Sequence, residues 1–195
     1  LPKVKNYMTK DIQKKLEIGT VKKQDISENL VNTVFLSLGS NLGNKILNLN
    51  KAKYLILDSN TEIIKTSNYY ETLSWPNKKF PKYINIVLKI ITNLKPSELF
   101  IKLKKIEIML GRKASKKNSP RICDIDILDF NQKKYNFIVK KQKVIIPHPR
   151  LHKRSFVLIP LYEVSRNWYH PLSNEKIAIL LSKINNKELT TIKLI

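Results

Sequence analysis

The stretch YINIVLKIITNLKPSELFIKLKKIEIMLG, residues 83–111, contains a strand pattern followed directly by the clearest helical pattern of the chain. Residues 83–92 are rich in β-branched side chains, which favour a strand. Residues 95–111 instead carry apolar side chains at helical spacing, which predicts one buried helix face. That face consists of Leu99, Leu103, Ile106 and Leu110. We expect Ser97 to cap this helix and Gly111 to end it.

The segments on either side complete a recognisable order of elements. Periodicity and turn residues predict strands at 33–40, 61–72 and 121–130, helices at 41–58 and 175–184, a loop at 75–81, a hairpin formed by KYNFIV and KVIIP, and a Pro-bounded turn with a short helix within 147–164. The order β-α-β-β-α-β, with added pieces, is that of the ferredoxin-like fold. We therefore predict an α+β sandwich, an antiparallel sheet with two helices packed on one face.

The domain organisation is simple. Residues 1–32 are polar and Lys-rich, and we interpret them as an extension or linker, whereas residues 33–195 form the main domain. The chain starts at Leu1 rather than Met, so the natural N-terminus is expected upstream. Apolar runs stay well short of about 18 residues, which predicts no membrane span. The single cysteine, Cys123, is consistent with a cytoplasmic protein. We expect it to be a small residue of the core.

The strong positive charge has two interpretations. The formal charge of +22 invites a nucleic-acid partner, but Lys is scattered over the whole chain and is typical of a generic surface. Arginine is rare, since it accounts for five of the 37 basic residues. Four of these arginines lie between positions 112 and 154: Arg112, Arg121, Arg150 and Arg154. Such clustering favours a place where bidentate binding of phosphate or carboxylate is needed.

The run RICDIDILDF, residues 121–130, places two carboxylates where a buried strand prefers Ile or Val. Because strand residues two apart share a face, Asp124 and Asp126 point the same way, and Ile125 and Ile127 point into the core. Carboxylates about 7 Å apart repel each other unless a cation or arginine compensates them. Mg²⁺ completed by substrate phosphates fits this pair, although a solvated strand face with two ordinary aspartates is the alternative.

The surroundings of the aspartates favour phosphoryl or pyrophosphoryl transfer. A basic loop precedes them, and HPRLHKR (148–154) follows. Carboxylates with a metal, ringed by Arg and Lys, are what transfer from a nucleotide requires. The sequence contains neither a GxxxxGK[ST] loop nor the kinase HRD and DFG motifs, so this chemistry would use another scaffold.

Five motifs in order carry a family resemblance: FLSLGSNLGN, YYETLSWPN with FPKYIN, IEIMLGR, SPRICDIDIL and IIPHPRLHKRSFVLIPL, together covering about 33–164. Through them the chain resembles the 6-hydroxymethyl-7,8-dihydropterin pyrophosphokinase family of folate biosynthesis. The resemblance implies transfer of the β,γ-diphosphate of ATP to the pterin hydroxymethyl group, release of AMP, and two Mg²⁺ ions.

The resemblance also implies roles for individual residues. The catalytic positions are Arg112, Arg121, Asp124 and Asp126, and the two aspartates hold both metals. ATP-binding positions are Glu107, Arg112, Arg121, Ile127, Lys143, His148 and Arg154. Pterin-binding positions are Thr72, Leu73, Trp75, Tyr83, Asn85, Asp124 and Phe156, with Tyr83 and Phe156 as the stacking platform. The alternatives are plain core for Tyr83 and Phe156, and a solvent-facing helix acid for Glu107. Gly39, Ser40 and Asn41 are expected to form a structural turn beside the pterin pocket.

The chain departs from the family pattern in two loops. Residues 74–76 read Ser-Trp-Pro, and Asn118 and Ser119 replace the Trp and Gly that are common there. Since closure of such loops assembles the site, slow turnover is expected. Two other hypotheses stay open: a catalytically inactive relative that serves as an interaction domain, and a nucleic-acid-binding module. For the enzyme we expect ATP and the pterin as partners, no nucleic acid and no membrane, and a cytoplasmic monomer or part of a folate-pathway fusion.

Overall fold

The computed structural model describes residues 31–74, 77–112 and 119–195. Its strands are β1 (Asn32–Ser40), β2 (Thr61–Thr66), β3 (Tyr70–Thr72), β4 (Tyr83–Thr92), β5 (Asp124–Phe130), β6 (Tyr135–Val139), β7 (Gln142–Ile146) and β8 (Lys193–Leu194). Its helices are α1 (Lys45–Ile56), α2 (Pro96–Met109), α3 (Ser155–Val164), α4 (Ile177–Ser182) and α5 (Asn186–Leu189), with a 3-10 turn at Leu151–Lys153. Of the extension interpreted over residues 1–32, residues 1–30 lie outside the described residues.

The main sheet is antiparallel and has the order β5-β1-β4-β3-β8, with β2 also paired to β4. Strands β1 and β4 pair along their whole length, from Asn32 opposite Thr92 to Ser40 opposite Ile84. Strands β6 and β7 form the predicted hairpin. The predicted ferredoxin-like architecture, an antiparallel sheet with helices packed on it, is confirmed.

The strand predicted over 61–72 is two strands, β2 and β3. The break lies at Ser67, whose backbone N–H donates to Val87 O at 2.9 Å while its hydroxyl accepts from Val87 N at 2.9 Å. The side chain thus replaces a backbone carbonyl in the ladder, and the chain shifts before pairing resumes at Tyr70. Alternation alone carries no signal for such a substitution.

The sheet has a core on each face. On one face α1 and α2 pack against alternate residues of β1, β4 and β5, and the buried members include Leu36, Ile86, Ile125 and Cys123. On the other face α3 and α4 pack against Phe35, Val87 and Leu128. The prediction of two helices on one face is right for α1 and α2, and the structure adds a second helical layer opposite them. Cys123 is a buried free thiol, as expected.

Helix α2 ends as predicted but begins differently. The helix starts at Pro96, and Glu98 accepts a hydrogen bond from Lys95 N at 2.8 Å, so Ser97 lies inside the first turn and does not cap it. Proline suits this first position because it has no N–H to satisfy. At the other end Gly111 has a φ of +97°, the conformation of a glycine that terminates a helix.

Replacing Gly111 by Ala is expected to lower the free energy of unfolding by about 2 kcal/mol, because a Cβ would be strained at that φ. That Cβ would also lie 3.0 Å from Ile122 Cδ1. Gly43 is the matched control: its φ is +61°, and a Cβ there would have its nearest contact at 4.0 Å. Urea denaturation of both variants tests the difference, and an equal cost for the two would contradict the steric argument.

Candidate active site

The polar site lies on the sheet face that carries α3. Strand register puts Asp124 opposite Gly39 and Gly39 opposite Asn85, so three neighbouring strands contribute one row. Asp126 lies opposite Ser37 in the next row of that face. The period-two prediction for the two aspartates is confirmed, because Ile125 and Ile127 lie in the core on the opposite face.

Asp124 is paired with two arginines. Its Oδ1 accepts hydrogen bonds from Arg112 Nη1 at 2.7 Å and from Arg121 Nη1 at 3.1 Å. Burial opposes ionisation of Asp124, but Arg121, Lys104 and Arg112 together outweigh it and hold the pKa of the carboxyl below its usual range. The carboxylate is therefore ionised near neutral pH, as a metal ligand must be.

Asp126 has its own basic partners from the segment that leads into α3. Its Oδ2 lies 3.5 Å from Arg154 Nη1 and 3.8 Å from His148 Nε2. Burial, together with the nearby Arg154, lowers the pKa of His148 despite the attraction of Asp126. Neutral His148 can donate or accept a hydrogen bond, while Arg154 keeps a permanent charge for an anion.

Glu107 is not the solvent-facing helix acid of the alternative interpretation. Its side chain is 1% exposed and accepts hydrogen bonds from Arg112 Nη1 at 2.5 Å, Lys104 Nζ at 2.7 Å and Ile125 N at 2.7 Å. Burial raises the pKa of this carboxyl, and Lys104 acts in the opposite direction. Glu107 thereby ties α2 to the start of β5 and orients Arg112 toward Asp124.

The predicted pterin residues lie beside this charged cluster. Asn85 is buried and donates to Thr72 Oγ1 at 2.8 Å. Gly39 leaves the space between β4 side chains open, since a Cβ there would lie 2.9 Å from Asn85 Oδ1 and 3.4 Å from Tyr83 Cδ1. Tyr83 is half-buried, and its burial raises the pKa of the phenol. Gly39 and Ser40 belong to β1, so the turn expected at 39–41 begins only at Asn41.

The other predicted pterin- and ATP-binding residues range from buried to exposed. Phe156 is half-buried on α3, and the guanidinium of Arg154 lies 5.5 Å from its ring centre. Leu73 is half-buried directly after β3, and Trp75 lies outside the described residues. The side chain of Ile127 is buried in the core beside α1 and α2, and Lys143 is exposed on β7.

Asn41 was expected only as part of a structural turn, but its side chain connects several segments of the site. This buried side chain accepts a hydrogen bond from Arg121 N at 2.7 Å and donates to Pro81 O at 3.2 Å and Ser74 Oγ at 3.4 Å. The hydroxyl of Ser74 in turn donates to Pro81 O at 2.5 Å. One amide thus joins both ends of the 73–82 loop to the segment that carries Arg121.

Replacing Asn41 by Ala is expected to lower kcat by about tenfold, because small misplacements of catalytic groups have costs of that order or more. Asn44 is the matched control, since it caps α1 by accepting from Leu47 N at 3.1 Å. Its Ala variant should lose about 1 kcal/mol of stability and keep its kinetics. Steady-state rates and thermal melts separate the two, and equal kinetics for both variants would refute a positioning role for Asn41.

The two aspartates are suitable ligands for a hard cation. Both side chains are about one-third exposed, with 30% for Asp124 and 33% for Asp126, and both present oxygen atoms. Among the described residues no group of three or more His, Cys, Asp or Glu side chains could enclose a metal. Any Mg²⁺ at this pair would need further oxygens from substrate phosphates, which is the usual arrangement for that ion. No helix in the described segments is long and apolar enough to cross a bilayer.

Fold and site together place paired carboxylates surrounded by arginines on a ferredoxin-like sheet, an arrangement suited to a phosphate-transferring enzyme. Residues 35–166 match the family described as 7,8-dihydro-6-hydroxymethylpterin-pyrophosphokinase. The chain belongs to this family.

The chain is similar in sequence to proteins from several organisms. The 2-amino-4-hydroxy-6-hydroxymethyldihydropteridine pyrophosphokinase of Aquifex aeolicus is 40% identical over 140 residues, which cover 72% of this chain and 84% of that protein. The enzyme of the same name from Haemophilus influenzae is 34% identical, with coverages of 72% and 86%. A folic acid synthesis protein of Pneumocystis carinii is 38% identical, but the aligned region is only 21% of its length.

Solved structures support the fold. The HPPK-DHPS of Plasmodium falciparum, crystallised with pterin and p-hydroxybenzoate, superposes with a TM-score of 0.71 at 18% identity. The match covers 87% of this chain and 48% of that one. The chain therefore spans about half the length of this structural relative and about a fifth of the fungal protein.

Proposed function

We propose that the chain transfers the β,γ-diphosphate of ATP to the hydroxymethyl oxygen of 6-hydroxymethyl-7,8-dihydropterin and releases AMP. The observation that carries the proposal is the row Asp124, Gly39 and Asn85, which sets a charge-compensated carboxylate beside a buried amide on one sheet face. A phosphate-transfer site and a heterocycle site are thus adjacent. The new bond forms between the pterin oxygen and the β-phosphorus, while the bond from the β-phosphorus to the α–β bridging oxygen breaks. AMP leaves with that oxygen, and the hydroxyl proton passes to solvent.

Asp124 and Asp126 are the residues that would hold two Mg²⁺ ions between the protein and the triphosphate. Bound there, Mg²⁺ would neutralise phosphate charge and orient the reacting groups. The carboxylates now accept hydrogen bonds from Arg112, Arg121 and Arg154. We propose that these arginines transfer their hydrogen bonds to phosphate oxygens when the nucleotide binds, which leaves both carboxylates available.

The ATP subsite follows from the positions of the basic side chains. Arg112 and Arg121 reach Asp124, and Arg154 and His148 reach Asp126, so the four surround the carboxylate pair. We assign Glu107 a supporting role through Arg112. Ile127 and Lys143 remain further candidates for nucleotide contact, and for Ile127 this contact would involve the backbone because its side chain is in the core.

The pterin subsite is proposed between the Tyr83 ring and the Phe156 ring. Asn85 and Thr72 would form hydrogen bonds with the polar edge of the heterocycle. Their mutual hydrogen bond fixes the orientation of the Asn85 amide and thus the position of its free donor and acceptor. Leu73 and Trp75 would form one wall. Asp124, which borders both subsites, would contact the pterin hydroxyl.

We also propose that residues 33–195 form the catalytic domain and residues 1–32 an extension of it. ATP and the pterin are the partners, and nucleic acid is not one, because the lysines are scattered over the whole chain instead of forming one patch. A cytoplasmic location agrees with one buried cysteine, whose thiol pKa burial raises to about 12. The protein would act as a monomer or as part of a longer folate-pathway chain.

Product analysis tests the proposal. The full chain is mixed with ATP, Mg²⁺ and 6-hydroxymethyl-7,8-dihydropterin, and nucleotides are separated by chromatography. AMP is expected only when the pterin is present. Formation of ADP instead, or no pterin-dependent product, would overturn pyrophosphoryl transfer; measurable binding of ATP and pterin would then favour the inactive relative.

A further inference from the structure

The last eleven residues, 185–195, contain α5 and β8, and we refer to them as the C-terminal strap. They lie beyond residues 35–166, the part matched to the family. The strap makes two separate attachments to the domain. One is to β3, which carries Thr72, and the other is to the first residue of α3, which carries Phe156.

The attachment to β3 is a short strand pairing. Tyr70 lies opposite Leu194 and Glu71 opposite Lys193. The pairing continues past β8, because Ile195 N donates to Tyr69 O at 3.0 Å. The strap therefore covers the outer edge of β3, directly before Thr72, and restricts sideways movement of that strand.

The attachment to α3 is a single side-chain hydrogen bond. Ser155 Oγ donates to Glu188 Oε1 at 2.5 Å, and Ser155 is only 2% exposed. Ser155 stands between Arg154, which reaches Asp126, and Phe156, the proposed stacking ring. Loss of the acceptor would leave a buried hydroxyl unpaired, which is costly. The negative charge of Glu188 near the helix N-terminus adds a favourable electrostatic contribution.

We propose that the strap is a positioning element that fixes the separation of β3 and α3, and that Glu188 is its positioning residue. By holding both walls, the strap sets the affinity for the aromatic substrate without contacting the phosphates. The inference rests on the proposed pterin subsite, since Thr72 and Phe156 are assigned to its two sides. Asp124, Asp126 and the two arginines on Asp124 lie on other elements, and only Arg154 reaches the cluster from the residue before Ser155, so nucleotide binding depends less on the strap than pterin binding does.

Glu188→Ala in the full chain is the test. We expect KM for the pterin to rise by about tenfold, the effect of one lost hydrogen bond to a buried group. KM for ATP and kcat should stay within about twofold of the unaltered protein. Glu188→Gln should restore KM, because its amide oxygen still accepts from Ser155. Glu175→Gln is the matched control, since Glu175 pairs with Lys183 outside the strap contacts, and it should leave all constants unchanged.

Hydrogen exchange gives a readout that does not depend on turnover. In Glu188→Ala, exchange should accelerate both at residues 155–158 and at residues 69–71, because the strap joins the two. Ser155→Ala removes the same bond from the other side and should reproduce the pattern. Acceleration confined to residues 186–189, or an equal rise of KM for ATP and pterin, would overturn the proposal. A chain that forms no AMP at all would refute the proposed function, while the exchange pattern would still decide whether the strap couples the two walls.

Discussion

Replacing Asp126 by Asn is expected to lower kcat for pterin-dependent AMP formation by about a thousandfold, the scale of losing a central electrostatic contribution. The amide is nearly isosteric, so packing is retained while the negative charge is lost. Asp126 is one of the two aspartates proposed to hold Mg²⁺, and it borders Arg154 and His148. Without its charge the site keeps its cationic ring but has only half of its acidic ligands.

The same substitution should not weaken ATP binding when Mg²⁺ is absent. Asp126 currently accepts from Arg154, so its neutralisation frees that guanidinium for phosphate oxygens. Calorimetric titration with ATP in EDTA should therefore show affinity that is unchanged or higher. Steady-state kinetics with Mg²⁺ would reveal the lost turnover. A variant that keeps its rate within a few-fold, or that loses ATP binding in EDTA, would exclude Asp126 as the ligand we propose.

The architecture was predictable from the sequence where side-chain period and burial agree. The helix over 95–111 has one apolar face, and the strand over 83–92 is β-branched, so both were found with nearly correct bounds. The second helical layer was missed. Its signal was present, because TVFLSL and YINIVLKIIT are almost continuously apolar, which is typical of strands covered on both faces. Phe35 and Val87 are the residues that meet α3.

The sequence predicts which residues form the site, but not which side chains pair with one another. Period two correctly put Asp124 and Asp126 on one face, yet which arginine meets which aspartate depends on how separate loops approach in space. Glu107 had a readable signal that was overlooked: it follows Leu99 and Leu103 at steps of four and therefore lies on the buried face of α2. Asn41 carried none, since its three partners come from segments 33 to 80 residues away.

The two arginines on Asp124 should differ in what they stabilise. Arg121→Ala is expected to lower kcat by about a thousandfold, as for arginines that compensate charge in phosphoryl transfer, and to leave stability almost unchanged. Besides Asp124, the guanidinium of Arg121 bonds Ser119 O through Nε at 3.2 Å and interacts with the phenol of Tyr83, and neither partner is a buried carboxylate such as Glu107. Arg166→Ala is the matched control, because Arg166 is an exposed residue beyond α3 whose guanidinium lies over the Tyr162 ring. It should change neither rate nor stability.

Arg112→Ala should reduce both rate and stability. Arg112 bonds Glu107 at 2.5 Å as well as Asp124 at 2.7 Å, and Glu107 is 1% exposed. Removing the guanidinium leaves a buried carboxylate with Lys104 as its remaining cation, a loss of about 1–3 kcal/mol. Double substitution Arg112→Ala with Glu107→Gln should recover much of the stability but none of the rate, because the buried charge disappears while the phosphate contact stays absent. Urea unfolding and steady-state kinetics on the same preparations measure the two effects. We propose that Glu107 anchors Arg112 and that Arg121 is reserved for substrate. Equal destabilisation by Arg121→Ala and Arg112→Ala would contradict this assignment, and so would activity regained by the double variant.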